Sequence, residues 1–462
     1  MGVKLIDHNE INETSSISAY TTGESEQSQI DDISRRTDSS QTEIRIITHI
    51  EDFETLEKEW QELVMEANTQ IFQTFEWNQV WWKHFGANKK LHILTVYTEN
   101  KLIGIAPLFE DTVTLFGHKV YTCLRFLGSY VSQPEGEPLL GSISYSDYLD
   151  CIIRPGCEQI FYQSFLQHFN DINSVYDEII LDEVPKKSDI LNTLLPLIAS
   201  GDQELNCIME KASSSPVIML DSTWDEYLKS LPKKARYHAR RYFKRSETGN
   251  PNAFKIDKIK DPIELPVVLT DFIRMHQQQW NDRGFSGTFS EKRMRDFFME
   301  IAQSFYEKNW IEVNVAIPEE ENAKYVAIDV CITYKNRISL MHRGMDEESQ
   351  YIKQGPGNVL LYARLHEAIN DGVKVFDMLR GAEEFKLRLA TEIKQNQKIT
   401  LCPDYKNGRL LPRLIKSSMN VVKYIRNERL HLKYLFEDKS FNSGLSDYIH
   451  LLHERIEQRS HK

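Results

Sequence analysis

The chain has 462 residues, is 41% hydrophobic and 27% charged, and carries a formal net charge of -12, a globular composition with material for about three domains and at least one core. The acidic balance excludes a protein that grips nucleic acid with its whole surface, though not a local basic site, and no apolar run reaches the ~18–20 residues of a membrane span. Six cysteines without a Cys-x-x-Cys pair exclude a disulfide scaffold and a zinc knuckle. The expectation is a cytoplasmic protein with no metal, no DNA partner and no transmembrane segment, leaving room for peripheral membrane contact.

Residues 1–42 hold thirteen Ser or Thr and eight Asp or Glu, with a single aromatic. Such a segment buries too little apolar surface to offset its ordering entropy, so it is expected to be a disordered acidic tail. From Glu43 the periodicity becomes legible. EIRIITHI (43–50) alternates as a strand does, and Phe53, Leu56, Trp60, Leu63 and Val64 line one helix face. A helix over about 75–86 follows, its Trp77, Trp81 and Phe85 spaced for a core. Strands at 91–98 and 102–109 meet at Glu99-Asn100-Lys101, and a strand pair occupies 113–128. A Gly-, Pro- and Ser-rich loop covers about 129–147. Helix 157–170, strand 178–184, helix 188–200 and strands 205–210 and 216–220 complete the first half, an N-terminal domain over 43–220.

The second half, 221–405, repeats that order. A basic segment at 231–245 precedes a strand at 253–259, helices at 262–282 and 290–306, and three meander strands at 310–317, 324–334 and 337–345. A helix at 357–371, a strand at 373–379, a short helix at 383–392 and a strand at 397–402 close it. Residues 406–462 are expected to form C-terminal helices. This order predicts a mixed α/β sheet, antiparallel in its meander, with a later strand reached through a helical crossover. Such a sheet splays where the pairing changes and accepts a ligand there.

Several segments resemble a known family. IFQTFEWNQVWWKHFG (71–86), LIGIAPLF (102–109) and LRFLGS (124–129) are similar to the amino-terminal half of CelD/BcsL-like acetyltransferases of the GNAT superfamily. LPKKARYHARRYFKR (231–245), ISLMHRGMD (338–346) and QGPGNVLLYARLHEAINDGVKVFDMLRGAEEFKLRL (354–389) are similar to that group's signature segment. The resemblance spans about 44–405. It implies tandem GNAT-like (acyl-CoA N-acyltransferase) domains, each a mixed, mainly antiparallel sheet flanked by helices, the second domain being catalytic. It further implies acetyl-CoA or another acyl-CoA as donor, and an amine or hydroxyl of a sugar or of a cell-envelope or exopolysaccharide precursor as acceptor. The related Fem-type enzymes use aminoacyl-tRNA, so tRNA-dependent aminoacyl transfer is the first alternative. A non-catalytic binding protein on the same fold is the second.

Three constellations carry the candidate chemistry. QGPGN opens a helix, where glycines let backbone amides approach a pyrophosphate and the helix N-terminus favours its charge; Lys353, Gln354, Gly355, Gly357 and Asn358 are the donor-binding candidates. Where the superfamily pattern has Arg or Gln three residues before the first glycine, this chain has Ile352. FDMLRGAEEFK (376–386) lies at a strand end, where functional groups concentrate, so Asp377, Arg380, Glu384 and Lys386 are expected to share a cleft. Lys386 would stabilise an oxyanion, as the resemblance of Phe385-Lys386 to the Phe-Lys pair of Fem-type enzymes also implies. His342, on the third meander strand, is the candidate base. Seven basic residues and no acidic one fill 232–245, and Arg236, Arg240 and Lys244 fall along one helix face suited to an anionic substrate.

Overall fold

The computed structural model describes residues 6–7, 42–115, 118–129, 146–172, 175–200, 205–247, 253–282, 287–320, 323–381 and 384–403. The expected C-terminal helices and nearly all of the acidic tail lie outside these residues. From the tail, Ile6–Asp7 form a short strand β1 that pairs in parallel with Ile208 and Met209. The first half then runs β2 (Thr42–Ile47), α1 (Ile50–Thr55), α2 (Glu57–Glu66), α3 (Phe75–Phe85), β3 (Lys90–Thr98), β4 (Lys101–Leu115), β5 (His118–Phe126), β6 (Ile152–Ile153), α4 (Glu158–Ile172), β7 (Glu178–Pro185), α5 (Leu195–Ser200) and β8 (Leu205–Met219). The second half runs α6 (Trp224–Ser230), α7 (Lys233–Phe243), β9 (Phe254–Lys258), α8 (Glu264–Asp282), α9 (Lys292–Glu307), β10 (Ile311–Pro318), β11 (Ala327–Tyr334), β12 (Arg337–Met345), α10 (Pro356–Asn370), β13 (Val375–Asp377), α11 (Glu384–Leu389) and β14 (Glu392–Pro403).

Local chemistry explains most boundaries. Glu99 and Asn100 both have positive φ, 53° and 60°, the backbone of a two-residue hairpin turn whose twist suits its strands. Lys335 and Asn336 repeat it between β11 and β12, with φ of 44° and 57°. The Lys335 ammonium donates to the carbonyls of Val64 and Ala67, at 2.5 and 2.7 Å, and to the Thr69 hydroxyl, so a cation closes the C-terminus of α2, where the helix dipole favours one. Two elements depart from the sequence expectation. β4 continues unbroken from Lys101 to Leu115, and β8 runs from Leu205 to Met219, where two strands, 205–210 and 216–220, are expected. β8 stays intact because β14 pairs along it with a bulge at Asn396, where Gln395 Nε2 donates to the carbonyls of Ala212 and Ser213. Pro216, which has no N–H to give, still accepts from Met378 N.

All strands join one sheet in the order β2-β3-β4-β5-β7-β14-β8-β13-β12-β11-β10-β9, with β1 beside β8 and β6 beside β4. Apart from β1 lying parallel to β8, each half is mainly antiparallel and holds one parallel pair, β5 with β7 and β12 with β13, each reached through a helix. The last strands are exchanged. β8 leaves the first half to pair with β13 of the second, and β14 returns to pair with β7 of the first. The sequence division at residues 220–221 therefore does not divide the sheet.

The apolar core also crosses between the halves. Trp77 and Trp81 are 0% and 1% exposed. The Trp77 ring meets Phe297 edge-on at 5.3 Å and stacks on Phe305 at 6.1 Å, so α3 is cemented to α9. Among the described residues no helix is long and apolar enough to cross a membrane, and no three His, Cys, Asp or Glu side chains converge as metal ligands. Trp77→Ala removes a buried indole that also donates to Ser146 Oγ at 2.8 Å. It is expected to destabilise the whole chain by about 3–5 kcal/mol, read as a shift in the denaturation midpoint; a shift confined to one of two separate transitions would contradict a shared core.

Against β3, His92 Nε2 faces His168 Nε2 of α4 at 2.9 Å. Burial foremost, then His168, push the His92 imidazole from 6.5 down to about 4. The unfolded chain thus takes up a proton that the folded chain resists, so this contribution is complete above pH 6.5 and is lost as pH falls through about 4. In urea titrations across that window, His92→Phe is expected to lose midpoint more shallowly with falling pH than the parent; equal slopes would remove the histidine pair as the cause.

Candidate active site

The site begins where β12 and β13 part. They pair over three residues only, Arg337↔Val375, Ile338↔Phe376 and Ser339↔Asp377. Beyond Asp377 the chain turns away, while β12 runs on to Met345. A bulge in β12 adds to the parting: Val330 faces His342 and Cys331 faces Leu340, leaving Met341 without a partner. The segment 340–345 thus borders a gap whose other bank is the loop after β13 and helix α11.

His342 and Arg343 point to opposite faces. His342 lies among the rings of Phe272, His276, Phe289 and Phe298, with centroids 5.2–5.8 Å away. Burial foremost, then His276 and the Lys386 ammonium, hold its imidazole well below the usual histidine range, and its Nε2 is buried without a hydrogen bond. Arg343 instead pairs bidentately with Asp329, both contacts 2.6 Å, and lies 5.6 Å over the Phe385 ring. Lys386, on α11, is 8% exposed and donates to the Arg380 carbonyl at 2.9 Å. Lys386 thus stands at the loop that leaves β13, near enough to His342 for its charge to act on the imidazole.

Asp377 and Arg380 do not share that cleft with them as the sequence suggests. Asp377 is fully buried and accepts from Tyr148 Oη at 2.8 Å, Arg337 at 2.7 Å and Leu379 N at 2.8 Å. Arg380 donates to Asp147 Oδ1 at 2.6 Å and to the Ser146 carbonyl, with Glu183 at 3.6 Å. Tyr148, Asp147, Ser146 and Glu183 belong to the first half, so these two residues stitch the halves together. Breaking one such buried pair costs about 3–5 kcal/mol, which is reason enough for both residues without any contact to substrate. Glu384 opens α11, and its side chain lies outside the described residues.

The two anion-site candidates become one. α7 packs against the start of α10, and with α11 they enclose a cavity of about 300 Å³ whose walls include Lys234, His238, Tyr242, Asn358, Phe385 and Arg388. His238, Tyr242 and Tyr362 form a run of near-parallel rings along one side, with 6.3 and 6.1 Å between neighbours. Of the five residues expected at the QGPGN turn, only Asn358 lines this space. Gly355, at φ 74°, has Tyr242 where a Cβ would stand, 2.7 Å away, and Gly357 likewise has Met345 Sδ at 2.8 Å. Close packing of α7 and β12 on the helix start therefore accounts for both glycines. Gln354 gives its carbonyl to Arg245, and Lys353 faces solvent.

The basic row read from the sequence is displaced too. Arg236 caps α6 through the carbonyls of Lys229 and Leu231, at 2.9 and 3.0 Å, while Arg240 and Lys244 are exposed. The row Lys234, His238 and Tyr242, at i, i+4 and i+8, faces the cavity instead. The signal that marks it is the interleaving of aromatic residues with the basic ones, which a count of charge alone passes over. Arg388, on the final turn of α11, carried no such signal.

Comparison with known proteins finds a family model that matches part of the chain. No curated protein matches it. A solved structure of FemX is 13% identical over 77% of this chain and 96% of that one, with a TM-score of 0.50, a likeness of fold. A conserved protein of unknown function from Bacteroides thetaiotaomicron is 12% identical over 78% of this chain and 100% of that one, TM-score 0.46. L-PGS from Bacillus licheniformis is 11% identical over 79% and 96%, TM-score 0.44. Residues 233–387 match the family model of the acetyltransferase (GNAT) domain. The basic helix, the parted strands and Lys386 all fall inside that match, so the similarity to the acetyltransferase (GNAT) domain covers the candidate site.

Proposed function

We propose that the protein is an acyltransferase that moves an acyl group, most simply acetyl, from acyl-CoA to an amine or hydroxyl of a sugar or cell-envelope (exopolysaccharide) precursor by direct transfer. The observation that carries this reading is the cation-walled cavity between α7, α10 and α11, which opens beside the β12–β13 gap where Lys386 stands. Lys234 and Arg388 would take the donor's phosphates, with Asn358 and the start of α10 beside them. At about 300 Å³ the space suits the phosphate-bearing part of the donor, with the acyl end reaching past Phe385 to the gap.

There the acceptor's lone pair forms a bond to the acyl carbonyl carbon, and the carbon–sulfur bond breaks as the oxyanion collapses. Lys386 faces the developing oxyanion, an interaction strongest in the transition state. His342 holds a neutral imidazole ready to receive the acceptor's proton, which the departing sulfur ultimately takes up. Asp377 and Arg380 act one step back, positioning the loop whose carbonyl holds Lys386. A second reading, aminoacyl transfer from tRNA, draws on the outer row of α7, where Arg240, Arg241 and Lys244 are exposed.

Calorimetric titration of the full chain with acetyl-CoA and a longer acyl-CoA tests the donor. Lys234→Ala and Arg388→Ala are each expected to weaken binding on the order of tenfold or more, and Lys353→Ala to leave it nearly unchanged. Undetectable binding would overturn the acyl-CoA reading and favour aminoacyl-tRNA or a non-catalytic role. Lys386→Ala is expected to lower kcat by roughly 10²–10³-fold while the donor Kd changes little. Full turnover in that variant would sink the oxyanion role.

A further inference from the structure

A cavity larger than the one between α7, α10 and α11 lies elsewhere. About 540 Å³ of space opens at the seam between the halves, bounded by Gln70, Tyr148 and Lys187 of the first and by Arg337, Lys394 and Asn396 of the second and its returning strand. It sits at the Arg337↔Val375 end of the paired strands, on the other side of that pairing from the gap at Met341 and Lys386. A volume of this size is within the range of small-molecule sites.

Its walls have a consistent chemistry. Four cations border it, Arg337, Lys394, Lys186 and Lys187, against Asp150 and Glu392. The Tyr148 ring lies between two of them, with Lys394 Nζ 5.9 Å and Arg337 Cζ 6.0 Å from its centroid. Arg337 is paired with Asp377. The half-buried Lys394 ammonium makes no hydrogen bond or ion pair among the described residues, and burial, then Arg337, push it below the usual lysine range. Burial foremost raises the Asp150 carboxyl to about 7, so at neutrality it offsets only part of this charge. Asn68, Gln70 and Asn396 add amides, and Asn396, 0% exposed, keeps a buried Oδ1 without a donor while its Nδ2 donates to Glu183 at 3.0 Å. An unpaired ammonium asks for an oxyanion, and an unpaired carbonyl beside further amides asks for hydroxyls.

We infer that the seam cavity is a second binding site, separate from the transfer site, for a small polyhydroxylated anion of the sugar phosphate or sugar acid class. Lys394 receives the oxyanion, Lys186 and Lys187 support it from the rim, and the amides hold hydroxyls. The inference stands on this cavity alone and does not need the acyl-transfer reading.

Competitive labelling of the full chain with acetic anhydride, read by mass spectrometry at each lysine, tests it. The probes are glucose 6-phosphate and glucuronate, with neutral glucose as control. Either anion is expected to slow labelling of Lys394 on the order of fivefold or more while exposed Lys58 is unaffected; the stronger of the two identifies the headgroup. By calorimetry, Lys394→Gln and the double variant Lys186→Gln/Lys187→Gln are expected to weaken that probe on the order of tenfold. No protection of Lys394 by either anion, or equal slowing at Lys58, overturns the site. So does protection by glucose as strong as by the anions.

Discussion

The exchange of terminal strands is the constraint on which the rest of the molecule depends. Backbone N–H and C=O groups along a buried strand must find partners. Here β7 has β5 of its own half on one edge but finds the partners of its other edge in a strand that the second half supplies, and β13 finds half of its own in β8. β13 is three residues long and would be a poor strand alone; between β12 and β8 it is saturated on both edges. Where it ends at Asp377, the chain is drawn to the first half by Tyr148, and three residues later by Asp147. β12, still running, loses its neighbour at that point. The gap that defines the candidate active site is thus a product of the seam as much as of the second half.

The same economy governs the anion side. The αL turn and small residues at the start of α10 admit Tyr242 on one flank and Met345 on the other. The basic helix can then lie close enough to α10 and α11 to wall a cavity with its Lys234 face. Arg245 holds the arrangement by taking the carbonyl of Gln354. The candidate donor pocket is therefore assembled from three helices that each contribute one to three polar groups, and no loop carries it alone.

Much of this architecture is legible before any coordinates. The alternation in 43–50, the helix faces with Trp77 and Phe53, and the repeated element order yield the fold class because each rests on a pattern within or between neighbouring elements. The exchange is illegible for the opposite reason: which edge a strand such as 397–402 joins depends on partners two hundred residues away. The site divides along the same line. Lys386 and His342 are candidates from local chemistry alone, a lysine just beyond a strand end and a histidine on a meander strand. Asp377 and Arg380 look catalytic from the sequence, yet their partners, Tyr148 and Asp147, lie in a segment with no pattern to announce them. Charge count led to Arg236, Arg240 and Lys244, while the face toward the cavity is set by where α10 packs.

The exchange also has a consequence for how the chain comes into being. β7 ends at Pro185 and its partner β14 begins at Glu392, so roughly 200 residues, about 10–40 s of synthesis at ordinary rates, separate the two as they leave the ribosome. During that interval the apolar edge carrying Ile179, Ile180 and Leu181 has emerged and cannot be covered by its native neighbour. The nascent protein spends nearly half of its synthesis with an open strand edge of the kind that chaperones recognise, and the sheet closes only when nearly all of the described chain has been made.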